Sequence, residues 1–81
     1  MTMIVDVALF ASLASFQPDG LPGRHSRPLE FPEGFLISQV IAALALPDEP
    51  RVIFVNGRHA EESAVLRDGD RLAIFPPVGG G

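Results

Sequence analysis

Apolar and polar positions alternate from Thr2 to Phe10, with Met3, Val5, Val7 and Leu9 on one side and Ile4, Asp6, Ala8 and Phe10 on the other. A period of two with β-branched residues predicts a strand. Both sides are rather apolar, which places this strand inside a sheet. From Ala11 to Ser26 the breakers Pro18, Gly20, Pro22 and Gly23 predict a loop, with a helical turn near Ser12 to Phe16. Arg27 to Phe31 is a short strand that Pro28 pushes toward a start or an edge. Pro32-Glu33-Gly34 reads as a turn. The period then lengthens: Ile37, Val40, Ile41 and Leu44 stand at i, i+3, i+4 and i+7, the apolar stripe of a helix. Ala42, Ala43 and Ala45 favour that helix, and Pro47 is expected to end it. Its N-cap is weak, because Leu36 stands where Ser, Thr or Asp is preferred.

Arg51 to Val55 is the strongest strand of the chain, and Asn56-Gly57 signals a hairpin with Arg58 and His59 beginning a short return strand. Glu61 to Arg67 reads as a polar connection with Val65 and Leu66 tucked in. Asp68-Gly69-Asp70 is a turn and Arg71 to Phe75 the last strand, ended by Pro76 and Pro77 in an extended conformation. Strands around a single helix predict an α+β fold, a mixed sheet packed against one main helix. The last strand, apolar and free of proline, belongs at its centre, paired in parallel with the first.

Composition narrows the function. The sequence has 81 residues, 47% of them hydrophobic and 20% charged, which fits one small globular domain. It has no cysteine, which excludes disulfides, a thiol nucleophile and Cys-ligated metal. The net charge is −4 and no basic cluster is present, so nucleic acid is a poor partner. The apolar runs are far shorter than the ~20 residues that span a bilayer, and no signal peptide opens the chain, so a cytoplasmic protein is expected. All six basic residues are arginines, which excludes self-linked chains through a lysine side chain.

Candidate catalytic chemistry is sparse. Arg67-Asp68-Gly69-Asp70-Arg71 lacks the further carboxylates of a calcium loop and reads better as a turn. His25 and His59 have no neighbouring ligands for zinc, so no metal site is expected. The serines have no nucleophile-elbow context, and Glu61-Glu62 reads as a solvated face. No phosphate-binding loop is present.

What remains is the closing run Phe75-Pro76-Pro77-Val78-Gly79-Gly80-Gly81. Glycines contribute no buried side chain and are costly to order, so residues 79–81 are expected to form a flexible tail on a domain of residues 1–78. Such a tail is thin enough to thread into another protein's active site and present the α-carboxylate of Gly81. A carboxylate is a poor electrophile until a partner activates it, usually with ATP, after which a sulfur or nitrogen nucleophile can attack the acyl carbon.

In this light the sequence resembles the MoaD/ThiS family of sulfur-carrier proteins, which have a ubiquitin-like β-grasp fold. The residues that carry the resemblance are Pro32-Glu33-Gly34, Val55-Asn56-Gly57-Arg58, Leu66 to Arg71, and Ala73 to Gly81. The Phe75-Pro76-Pro77 run looks most like the small subunit of molybdopterin synthase. The resemblance implies that Gly81 is adenylated by an E1-like enzyme using ATP and converted to a thiocarboxylate. It further implies that Gly79 and Gly80 thread the tail into the large subunit of molybdopterin synthase, for sulfur transfer to a pterin precursor. Phe75 would then be an apolar anchor on the partner, with Pro76 and Pro77 holding the tail extended. No cofactor is expected on the chain itself. Three glycines stand where the family usually has two. Two alternatives stay open: a sulfur carrier for thiamine or cysteine synthesis, or a ubiquitin-like protein modifier or docking module.

Overall fold

The computed structural model describes residues 1–16, 26–48 and 50–76. Strand β1 (Thr2–Leu9) is followed by a 3₁₀ helix (Ala11–Phe16), β2 (Ser26–Pro32), helix α1 (Ile37–Ala43), β3 (Val52–Val55), β4 (Arg58–His59) and β5 (Arg71–Phe75). The strands form one five-stranded sheet in the order β2-β1-β5-β3-β4. β1 and β5 run parallel and every other neighbouring pair is antiparallel. The expected central last strand and its parallel partner are therefore both present.

One sheet face carries the core. Met3, Val5, Val7 and Leu9 of β1, Leu72 and Ile74 of β5 and Ile53 of β3 form one buried cluster with Ile37, Val40 and Ile41 of α1. Each such side chain, fully buried, stabilises by roughly 1.5–3 kcal/mol. Leu13, on the 3₁₀ helix, closes the core beyond the end of β1, where the Phe10 N–H bonds the Ile74 carbonyl at 3.2 Å.

β2 is an edge, and Pro28 suits it for a geometric reason. The Glu33 N–H bonds the Met1 carbonyl at 3.1 Å, which makes Thr2↔Pro32 a non-hydrogen-bonded antiparallel pair. By the same period Asp6↔Pro28 is another, so Pro28 and Pro32 have no N–H to offer at positions whose backbone faces outward. The open edge is thereby poor in donors, which discourages pairing with other chains.

Three local expectations need correction or a cause. Val65 is exposed while Leu66 is 2% exposed, because Val65 pairs by its backbone with Leu36 and turns its side chain outward. Pro47 does not end α1. The helix stops at Ala43, the Ala45 N–H bonds the Ala42 carbonyl at 3.1 Å and the Leu46 N–H the Ile41 carbonyl at 3.2 Å. With Ala45 at φ 55° this is a Schellman motif built on alanine, closed by buried Leu46 near Ile41. The poor N-cap is offset elsewhere: Gln39 Oε1 accepts from the Leu36 N–H at 2.8 Å, and the carbonyls of Ala64 and Glu62 accept from the Ile37 and Ser38 N–H groups.

Candidate functional site

The second sheet face is not covered by α1, and alternation decides what it displays. Asp6, Ala8 and Phe10 share it with Arg71, Ala73 and Phe75, because Asp6 pairs with Arg71 and Ala8 with Ala73 in register. Phe54 joins through its pairing with Ala73, and His59 through its pairing with Phe54. The small Ala8 and Ala73 form the floor of a shallow hollow walled by Phe10, Phe54, Phe75 and Asn56.

Four rings cross this face in a row. Phe10 and Phe75 stack with centroids 4.3 Å apart and planes at 6°. Phe54 meets Phe75 edge-on at 5.9 Å, and His59 meets Phe54 edge-on at 6.0 Å. Offset-stacked and edge-to-face arrangements each add about 0.5–1.5 kcal/mol beyond area burial. Phe10, Phe54 and Phe75 nevertheless stay only partly buried, so the row keeps apolar surface open to solvent. Asp6 Oδ2 and Arg71 Nε lie 3.5 Å apart at its margin, with Asp6 half-buried and Arg71 exposed.

Of the residues singled out in the sequence, Phe75 sits in the middle of this row and Pro76 follows it, partly buried. Pro77, Gly79, Gly80 and Gly81, and the 78/79 boundary between domain and tail, lie outside the described residues. The sequence reading missed Phe10, Phe54 and His59 as companions of Phe75. Their signal was the period-two parity of β1, β3 and β5, which becomes visible once the strand order is known.

The acidic turn does structural work. Asp68 Oδ1 accepts from the Ile4 N–H at 2.7 Å, and Asp70 accepts from the Arg67 N–H at 2.8 Å and from Asn56 Nδ2 at 2.9 Å. Gly69, at φ 87°, lets the turn bring its own N–H to the Ile4 carbonyl at 2.8 Å. Among the described residues no group of three or more His, Cys, Asp or Glu side chains is placed to hold a metal ion. Glu62 is exposed, as expected, yet paired: Arg51 donates from Nη1 to its carboxylate at 2.8 Å and from Nη2 to the Pro47 carbonyl at 2.6 Å. No helix among the described residues is long and apolar enough to cross a membrane.

The profile of the ThiS family matches residues 7–81. This chain belongs to the ThiS family. Among solved structures, a Pyrococcus furiosus protein assigned as subunit 1 of molybdopterin-converting factor is 27% identical, with a TM-score of 0.69 over 94% of this chain and 99% of that one. Small archaeal modifier protein 1 from Methanosarcina acetivorans is 25% identical, with a TM-score of 0.67 over 100% of this chain and 99% of that one. A Helicobacter pylori complex of subunits 1 and 2 of molybdopterin-converting factor matches at 20% identity and a TM-score of 0.60, over 98% of this chain and 100% of that one, a likeness of fold alone. The ThiS-family chain therefore has the ubiquitin-like β-grasp expected from its sequence.

Proposed function

We propose that this chain is a sulfur carrier whose terminal glycine, Gly81, cycles between carboxylate and thiocarboxylate in molybdopterin assembly. The observation that carries the reading is the ThiS-family match, which runs through the glycines to Gly81. The aromatic row at the base of the tail supports it, because the strand that leads into the glycines also bears Phe75. A partner gripping Phe75, Phe54 and Phe10 would hold the strand end from which the closing residues of the chain continue.

The chemistry divides between two proteins. The Gly81 carboxylate attacks the α-phosphorus of ATP on an E1-like enzyme, pyrophosphate leaves and an acyl adenylate forms. Hydrosulfide attacks the acyl carbon, AMP leaves and a proton is lost, giving the thiocarboxylate. This chain contributes the acyl group and its docking face; the partner contributes ATP and the activating groups. The recipient in this reading is the large subunit of molybdopterin synthase with a pterin precursor. The likeness to the Pyrococcus furiosus protein supports that recipient over thiamine or cysteine synthesis.

A second reading is favoured by the likeness to small archaeal modifier protein 1: the activated glycine passes to amines of other proteins. One experiment separates them. The thiocarboxylate form is mixed with the large synthase subunit and the pterin precursor, and in parallel the activated chain is mixed with a cell extract containing ATP. Sulfur loss to the pterin supports the carrier. Amide-linked adducts on foreign lysines with no sulfur transfer support the modifier.

A further inference from the structure

Asn56 is the only asparagine in the sequence, and it precedes Gly57. Asn-Gly is the pair whose amide is chemically most labile, because the unhindered glycine nitrogen can attack the asparagine side chain. Here both residues have positive φ, 53° and 82°, in the two-residue turn between β3 and β4. The Asn56 amide is also engaged at both ends across the sheet. Its Nδ2 donates to Asp70 Oδ1 at 2.9 Å, and its Oδ1 accepts from the Arg71 N–H at 3.0 Å. The backbone completes the connection, with the Asn56 N–H donating to the Arg71 carbonyl at 2.9 Å. The turn is thus latched to the start of β5 by three hydrogen bonds, two of them through the labile amide.

We propose that Asn56 is a deamidation site gated by this latch, and that its deamidation irreversibly frees the Asn56-Gly57 turn from Asp70 and the start of β5 while β3 stays paired with β5. For the reaction, the side chain must leave Asp70 and Arg71 and turn its Cγ toward the Gly57 nitrogen. That nitrogen bonds to Cγ, the Cγ–Nδ2 bond breaks, and ammonia departs with the proton from Gly57. Water opens the resulting succinimide to aspartate or isoaspartate at position 56. Either product replaces a donor facing Asp70 with a carboxylate, so attraction becomes repulsion between like charges. Isoaspartate also lengthens the backbone within a two-residue turn. The freed turn joins Phe54 to His59, so the reaction loosens the row of rings at the end where those two meet.

The latch rests on side-chain bonds at an exposed turn, whereas the core beneath lies in the sheet and α1. Latch opening is therefore a local event and does not require global unfolding. Intact mass reads the reaction directly, since Asn56 is the only asparagine, and peptide mapping assigns it. The wild-type chain is incubated at mildly alkaline pH in a series of sub-denaturing urea concentrations. The expected result is slow deamidation at Asn56 with a rate nearly independent of urea. A rate that rises with urea in parallel with the unfolding equilibrium overturns the local latch. Asp70→Ala, which removes the acceptor of Nδ2, is expected to speed deamidation about tenfold, the factor for one lost hydrogen bond. A folded Asp70→Ala protein that deamidates no faster than wild type also overturns it. The Asn56→Asp chain, equivalent to the aspartate product, is expected to exchange its Arg71 amide hydrogen about tenfold faster than wild type. Unchanged exchange there contradicts release of the turn.

Discussion

Phe10 stacks on Phe75 across the parallel β1–β5 pair, with ring centroids 4.3 Å apart and an interplanar angle of 6°. The two residues are far apart in sequence and just beyond, or at, the ends of their strands. They hold the exit of β5 against the end of β1. Their outer surfaces remain partly exposed, which suits a contact completed by a partner.

Phe75→Ala should therefore separate docking from folding. The core lies on the opposite sheet face, so the protein is expected to stay folded, losing about 1–3 kcal/mol from the stack and the edge contact with Phe54 in addition to the partial burial of the ring. Affinity for the activating enzyme should fall about tenfold or more, as for a central aromatic anchor. Urea denaturation and calorimetric titration read the two effects. Unchanged affinity would remove Phe75 from the interface.

Ala45→Gly should stabilise the protein. Ala45 occupies the left-handed position of the Schellman motif at φ 55°, where a Cβ is unfavourable by roughly 1–2 kcal/mol. Glycine relieves that strain but adds freedom to the unfolded chain, so a net gain of about 0.5–1 kcal/mol is expected in chemical denaturation.

Asp68→Ala should cost about 1–2 kcal/mol, because the Ile4 N–H loses its carboxylate acceptor. Asp70→Ala should cost at least as much, since the same carboxylate serves both Arg67 N–H and Asn56 Nδ2. Both effects are read as shifts of the urea midpoint. Calcium should leave the wild-type midpoint unchanged, because these carboxylates are engaged by Ile4, Arg67 and Asn56.

Arg51→Lys should behave much like Arg51→Ala. The two contacts of Arg51 come from separate guanidinium nitrogens, Nη1 to Glu62 and Nη2 to the Pro47 carbonyl, and an ammonium group cannot reproduce that fork. Glu62 is about half exposed, so the ion pair contributes little and most of the expected loss of about 1 kcal/mol belongs to the bond with Pro47. Thermal unfolding of the two variants and wild type provides the check.

Much of this architecture was legible in the sequence because its signals are local. Alternation located β1, an apolar run between a turn and two prolines located β5, Asn56-Gly57 located the hairpin, and the spacing Ile37, Val40, Ile41 located α1. What escaped depends on partners distant in the chain. The exposure of Val65 follows from its bridge to Leu36, and the N-terminus of α1 is satisfied by carbonyls of residues 62 and 64 rather than by a capping side chain. The end of α1 escaped for a different reason: alanine at a left-handed position is uncommon, so Pro47 was the more obvious stop. At the candidate site, Phe75 could be read from its place before the glycines. Phe10, Phe54 and His59 join it only through the register of four strands.

The most direct measurement is the intact mass of the chain after incubation with ATP, an E1-like activating enzyme and a sulfide donor. The account predicts replacement of one oxygen by sulfur, located at Gly81 by fragmentation and abolished when Gly80 and Gly81 are deleted from an otherwise equally stable domain. An unchanged mass with an activating enzyme that is demonstrably active would contradict the sulfur-carrier function.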